Sequence, residues 1–453
     1  MKEKTKKVSE PGSFKLWKVP AWASRAAALT VNIAVLLQVT YYCTDALGMA
    51  PGLVGMLLLV SKLFDGFTDL AAGFIIDKTH SKWGKARPYE FCILLAWIFT
   101  VFMFSTPASF STTGKCIWVF ITYTMICSVF QTFLNASDAV YMARAFTSQD
   151  TQTKILSFAS PIQMICSIAA GATLPIMINS FGSEPGGWTK IGLIFAVPYG
   201  ILGLARFFFI KELDIEETQQ ESSQQSLKSL LNIIRQNKYI FIISIFTLVG
   251  GLIQNIGSAV TNYYFQYIYG DLNVAGLFGA LSIISPFLLV IMPILLKKNS
   301  LAKLTMVSCV IGALGNLLKF VGKTNLPILI VGNLLTMVPL MFSCMINIFL
   351  IECMDFGEWK NGVRVEGGLG SINGFASKLG TGLSSVIVGF VMQLAGYDGT
   401  LAQQSQSANF AIIALYSLIP LALFIVQFIV MKQYDLDKKL PQIRAELGER
   451  NNA

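Results

Sequence analysis

Apolar and polar positions alternate along this chain on a long scale, with extended apolar runs separated by short polar breaks. Runs of about twenty residues, the length a helix needs to cross the hydrocarbon core of a bilayer, fall at 23–44, 52–76, 89–108, 116–140, 156–180, 190–210, 239–268, 274–296, 302–322, 326–352, 371–394 and 409–431. They predict twelve transmembrane helices and an all-α membrane protein, because a lone helix satisfies its own backbone in lipid. The one long break, 211–238, contains the polar, acid-rich stretch ELDIEETQQESSQQS and reads as a linker. It divides the chain into a tail (1–22), a six-helix half (23–210), the linker, a second six-helix half (239–431) and a closing tail (432–453). A six-plus-six plan predicts two pseudo-symmetric halves holding a solute between them near the midplane.

Composition supports the membrane reading. Hydrophobic residues make up 54% of the 453 and charged residues 13%, where a soluble domain carries about 25% charged. The net charge of +9 does not form a basic face interleaved with aromatics, so no nucleic-acid partner is expected. Instead the basic residues cluster in the N-terminal tail, after the second run (Lys78, Lys82, Lys85, Arg87), after the eighth (Lys297, Lys298, Lys303) and at the end (Lys432, Lys438, Lys439). By the positive-inside rule both termini are cytoplasmic, in a multi-pass protein of the cell membrane, expected to be a bacterial inner membrane. The bilayer, a small solute and a coupling cation are the expected partners, and the chain is expected to act as a monomer. The eight cysteines are scattered, with no C-x-x-C pair and with His80 the single histidine, which argues against a disulfide framework or a zinc site. The first twenty residues show no cleavable signal.

Chemistry enters where charge interrupts the apolar runs. Asp65 and Asp69 lie four apart in the second run, hence on one helical face. A carboxylate at membrane depth costs roughly 2.5 to 3.5 kcal/mol, which a bound cation, a proton or a partner charge must offset. Thr68 offers a further oxygen, and a cation site at Asp65 and Asp69 is the sharper reading. The plainer one pairs Lys62 with Asp65 and leaves Asp69 facing water. In the fourth run Thr132, Asn135 and Asp138 follow at spacings of three, a polar stripe for a solute site or for helix packing. Asn135 also opens an N-A-S triplet, dismissed as a glycosylation site because it lies within a span. Asp77 and Arg87 frame the loop after the second run, where they can bridge helix ends. Glu352, Asp355, Glu358 and Arg364 sit at the end of the tenth run, either as gate pairs that form and break between conformations or as a solvated charge cluster. Lys378 interrupts the eleventh run and needs a carboxylate or water; Asp65 or Asp69 is the natural partner. Arg25 either snorkels to headgroups or lines the inner vestibule. The glycines at 367, 368, 370 and 374 lack the G-x-x-x-x-G-K-[ST] pattern, and no nucleophile and base pair or metal-ligand set is present, so an enzyme is not expected and no cofactor beyond Na⁺ or H⁺ is called for.

These blocks also carry a resemblance. The loop G73-x-x-x-D77 with Lys82, Gly84, Lys85 and Arg87 is similar to the loop joining the second and third spans in major facilitator transporters. YYCTDALGMAPGLVGMLLLVSKLFDGFTD, SKWGKARP, and DFGEWKNGVRVEGG followed by Lys378 resemble the glycoside-pentoside-hexuronide:cation symporter family over essentially the whole chain. The resemblance implies a major facilitator fold of two six-helix halves. It implies that Asp65 and Asp69 bind the coupling cation with Thr68 and Thr132, and that Lys378 sits beside them. At the family's sugar-contacting positions this sequence departs. The acid on the fourth span falls on Asn135, a tryptophan one turn later on Ala139, the tenth-span tryptophan on Ser343, the fifth-span arginine near Gln163 or Met164, and the first-span acid near Leu29.

The expectation is a cation-coupled symporter working by alternating access, with Na⁺ favoured over H⁺ and Asn135, Asp138, Gln163 and Lys378 lining the solute site. By family the solute is a sugar or glycoside. A less polar ring-shaped solute, such as a steroid, is the alternative suggested by the missing aromatics. A membrane sensor that has lost transport is the third reading, and buried charges that a non-transporting fold would not need speak against it.

Overall fold

A computed structural model describes residues 15–146, 148–213, 237–343, 345–361 and 367–452. Helices account for all their regular structure, and among the described residues there is no strand. In chain order, α1 runs Lys18–Leu36 and continues through Val39–Tyr41 into a π-helical turn at Tyr42–Ala46. Then come α2 (Pro51–Asp77), α3 (Arg87–Phe104), α4 (Thr112–Ala145), α5 (Gln149–Phe181) and α6 (Gly187–Phe209). After the linker follow α7 (Lys238–Tyr269), the broken α8 (Asn273–Leu281 and Ser285–Leu296), α9 (Leu301–Gly322) and α10 (Leu326–Ser343 and Ile346–Asn361). Last are α11 (Gly367–Leu394), α12 (406–432) and α13 (Leu436–Asn452).

Among the described residues, ten helices are long and apolar enough to cross a membrane. Two further runs complete the twelve. Charge at Lys62, Asp65 and Asp69 interrupts α2, which is nonetheless 27 residues long. A 3₁₀ turn at Ser282–Ile284 breaks α8 where Pro286, at the start of the next piece, has no N–H to continue the ladder. Short loops are closed by side-chain caps: Ser111, Ser300 and Ser405 each accept from the backbone N–H three residues on. The helix α13 is an addition to the twelve, formed where the sequence reading placed a plain tail.

By packing, the chain resolves into two compact units, one of residues Met1–Val39 and Leu63–Gln220, the other of Thr40–Lys62 and Glu221–Ala453. The first is centred on Trp22, Tyr141, Phe146 and Ile155, with α1 laid along α5. The second is built on Tyr239, Phe246, Phe349 and Phe424, with α7 along α11 and α9 along α10. The hairpin 40–62, which the sequence reading counts with the first six helices, packs in the second unit through glycines. A Cβ placed on Gly55 would collide with the Ser385 carbonyl oxygen, and one on Gly389 with that of Pro51. Only a residue without a side chain lets the two backbones approach so closely. Within α7 and α11 the same holds at Gly380, which faces the Leu248 carbonyl.

Candidate functional site

The carboxylates that interrupt α2 meet hydroxyls of α4. Asp65 is almost fully buried, at 3% exposure, and its Oδ1 accepts a hydrogen bond from Ser128 Oγ. One turn along both helices, Thr132 Oγ1 donates to Asp69 Oδ1 at 3.3 Å, at a site where Asp69 is itself exposed. Two helices thus place two carboxylate and hydroxyl pairs in register, one above the other, with i, i+4 spacing on each helix. Thr68, between the carboxylates, directs its hydroxyl hydrogen to its own helix, toward the carbonyls of Phe64 and Asp65 at 3.2 Å each. Its oxygen keeps lone-pair capacity but not the orientation that Thr132 has. The set is one of hard oxygens, suited to an alkali cation or a proton rather than a transition metal. No group of three or more His, Cys, Asp or Glu that could hold a metal occurs among the described residues.

Ser128 is the ligand-like residue that sequence reasoning missed. It lies in the π-helical turn Met125–Phe130, where the Gln131 N–H reaches back five residues to the Ile126 carbonyl. The signal available in the sequence is its position one turn before Thr132, weak because a lone serine is common in membrane helices.

The expected solute residues have different surroundings. Asn135 is exposed on α4, as is Ala139 one turn later. Gln163 on α5 donates from Nε2 to Thr30 Oγ1 of α1 at 2.7 Å, which adds Thr30 to the group. Asp138 is half-buried, and its Oδ1 accepts from Arg206 Nη1 at 2.7 Å and from Arg25 Nη2. Those arginines also flank Glu90, with Arg206 Nη2 2.9 Å and Arg25 Nε 3.9 Å from its Oε1. Arg206 is stacked on Trp22 and Tyr141, 3.8 and 4.5 Å from the ring centres. Arg25 is 3% exposed, so it neither snorkels nor lines a vestibule: two acids and a second arginine from α3, α4 and α6 enclose it. The four charges sum to zero, the condition under which such burial is tolerable. Lys378 is half-buried on α11, next to Ser377, whose carbonyl lies 3.2 Å from the position a Cβ on Gly251 of α7 would take.

The remaining charged positions are tied down locally. Asp77 faces Lys85 Nζ at 3.8 Å across the loop after α2, and Arg87 donates to the Phe207 carbonyl at 2.8 Å. Glu212, just after α6, accepts from the backbone N–H groups of Lys85, Ala86 and Arg87 and so holds that loop at the start of α3. In the second unit, Glu352 accepts from Tyr434 Oη at 2.6 Å, and Asp355 from Arg444 Nε of α13 at 2.8 Å. Trp359 Nε1 donates to Glu446 of the same helix at 2.6 Å. Glu358 is half-buried on α10, and Arg364 lies outside the described residues. A further carboxylate, Asp45 in the π-helical turn of α1, had not been singled out. Its oxygens accept from Tyr267 at 2.6 Å, from Tyr397 at 2.9 Å and from Thr44 at 2.6 Å, and Thr44 in turn touches the Tyr263 hydroxyl at 2.7 Å.

Comparison with known proteins places this geometry in context. The family described as "MFS/sugar transport protein" matches residues 22–438. The isoprimeverose transporter of Lactiplantibacillus pentosus is 28% identical over 434 residues, covering 93% of this chain and 89% of its own length. The glucuronide carrier protein homolog of Escherichia coli (strain K12) is 26% identical over 431 residues, 92% of each chain. Among solved structures, that of a D-xylose-proton symporter superposes with a TM-score of 0.64 at 11% identity, covering 94% of this chain and 99% of its own.

Proposed function

Because the chain belongs to the MFS/sugar transport protein family, we propose that it is a secondary active symporter that carries a sugar or glycoside together with a cation by alternating access. The observation that carries the coupling is the facing of Asp65 and Asp69 on α2 by Ser128 and Thr132 on α4. Asp65 is buried, and a carboxylate at membrane depth destabilises its helix unless something neutralises it. A cation bound there removes the repulsion between the two carboxylates and biases the protein toward the state that takes up solute. Na⁺ is favoured over H⁺ because a proton needs one carboxylate, whereas this site aligns neutral oxygens beside two.

Asn135 and the Gln163 and Thr30 pair of the first unit are solute-contacting groups in this reading, and Lys378 of the second unit is taken separately as another. Asp138 takes part through its free edge, its Oδ1 being held by Arg25 and Arg206. The relatives named for isoprimeverose and glucuronide transport support a sugar over a less polar ring-shaped solute. The basic loops support a cell-membrane protein with both termini in the cytoplasm, and Asp77 and Arg87 in the first unit, like Glu352, Asp355 and Glu358 in the second, are in this reading gating or structural charges near its cytoplasmic side. Uptake of labelled glycosides into membrane vesicles under an imposed Na⁺ or H⁺ gradient tests the coupling. Asp65→Asn and Asp69→Asn should each abolish gradient-driven accumulation while leaving the protein folded, since each loses a charge but keeps its size. Unchanged accumulation in both variants would overturn the cation site.

A further inference from the structure

The residue with most left to explain is Ser128. It is fully buried, on an irregular turn of a membrane helix, and it gives its hydroxyl hydrogen to one of the two carboxylates proposed to bind the cation. A serine hydroxyl carries one hydrogen and two lone pairs. While it donates to Asp65 it serves as a stand-in for positive charge. The hydrogen is also free to rotate about the Cβ–Oγ bond, and a serine in a helix has a backbone carbonyl four residues back as an alternative acceptor. One rotation therefore converts the group from a donor to the carboxylate into an oxygen ligand beside it, with no movement of the backbone. The serine stands in a π-helical turn, Met125–Phe130, an irregularity of the kind that marks functional positions in helices.

We infer that Ser128 is a ligand of the coupling cation and sets the selectivity of the site, holding Asp65 in place by a hydrogen bond when the site is empty and coordinating an alkali cation through its oxygen when it is filled. This rests on the cation site at Asp65 and Asp69 proposed above. The chemical reason for selectivity is the difference between the two cations. A proton is satisfied by one carboxylate oxygen, and deleting a neutral neighbour leaves that bond intact. Na⁺ and Li⁺ must replace most of their hydration shell with protein oxygens, so deleting one such oxygen weakens their binding directly.

The experiment measures the Na⁺ and Li⁺ concentrations that half-saturate the thermal stabilisation of the purified full-length protein, alongside Na⁺- and H⁺-driven uptake of the transported glycoside in vesicles. Three variants are compared with wild type: Ser128→Ala, Ser128→Cys and, as the control on the site itself, Asp65→Asn. Ser128→Cys keeps nearly the same size and a weak donor, but its sulfur is a poor ligand for a hard cation, so it separates ligation from packing. The expected result is a tenfold or greater rise in the half-saturating Na⁺ concentration in both Ser128 variants. The Na⁺ to Li⁺ preference should change, H⁺-driven uptake should be retained, and the melting temperature without Na⁺ should stay near wild type for Ser128→Cys. If Asp65→Asn abolishes coupling while both Ser128 variants keep the wild-type Na⁺ midpoint and Na⁺ to Li⁺ preference, the cation site stands and the role of Ser128 falls. If wild type shows no response to Na⁺ or Li⁺, it falls as well. If Asp65→Asn leaves coupling intact, the failure belongs to the site and not to the serine. Should Ser128→Ala fail to fold, the Cys variant alone decides between these results.

Discussion

At the scale of single residues, the feature that most strains ordinary rules is the enclosure of Arg25, Glu90, Asp138 and Arg206. Arg206 and Glu90 are fully buried, and the group is stable only as a neutral set. Glu90→Gln leaves two arginines against one carboxylate and should destabilise the first unit by about 3 to 5 kcal/mol, the range for breaking a buried pair. The measurement is the apparent melting temperature in detergent. The double variant Glu90→Gln with Arg25→Gln restores neutrality and should recover much of the loss, whereas additive damage would show that the charges do not act as a set. This scale is also where the sequence reading divides. Asp65 and Asp69 are legible because a carboxylate inside an apolar run is costly enough to demand an explanation, and Thr132 joins them only through the family resemblance. Glu90 and Arg206 sit near the ends of their runs, where charge is commonplace. Nothing local shows that α1, α3, α4 and α6 bring them to one point. Ser128 is silent for a different reason: a hydroxyl costs little in a membrane helix, so its presence asks for no partner until the fold supplies one.

At the scale of elements, α13 shows how hydropathy alone underestimates structure. Its composition is that of a tail, yet Leu436, Leu440 and Ile443 fall at helical spacing and are buried at 0%, 7% and 4% exposure. Each such burial is worth roughly 1.5 to 3 kcal/mol, against about 1 kcal/mol or less for the partly exposed Arg444 and Asp355 pair. Apolar burial therefore holds this helix in place, and the ion pair orients it. Ile443→Ser should loosen α13 enough for limited trypsin to cut after Lys438 or Lys439, while Arg444→Gln should leave the cleavage pattern near that of wild type. Equal cleavage in both would put the ion pair in charge. The twelve long runs were readable because their period and length are set by the bilayer. The break in α8 at Pro286 is a local effect that a count of apolar residues passes over, whereas α13 is decided by the neighbours that bury Leu436, Leu440 and Ile443.

At the scale of the whole molecule, the all-helical membrane architecture could be read directly, and so could the family to which the chain belongs. The grouping of residues 40–62 with the second unit could not, because it depends on glycines whose meaning appears only when the opposing backbone is present. That seam between the hairpin and α11 has a consequence for time rather than for strength. A contact made by Gly55 and Gly389 against carbonyl oxygens freezes no side-chain rotamers when it forms and has none to repack when it parts. At these two points nothing interlocks, and a transport cycle that unmakes the contact waits only on the side chains beside it, Gln393 against Gly52 and Leu59 against Gly382. Gly55→Ala should lengthen that wait: solute exchange across vesicles would slow severalfold while the concentration of glycoside that half-saturates the purified protein stays unchanged, and a variant that lost affinity at full speed would show the seam to be no part of the clock.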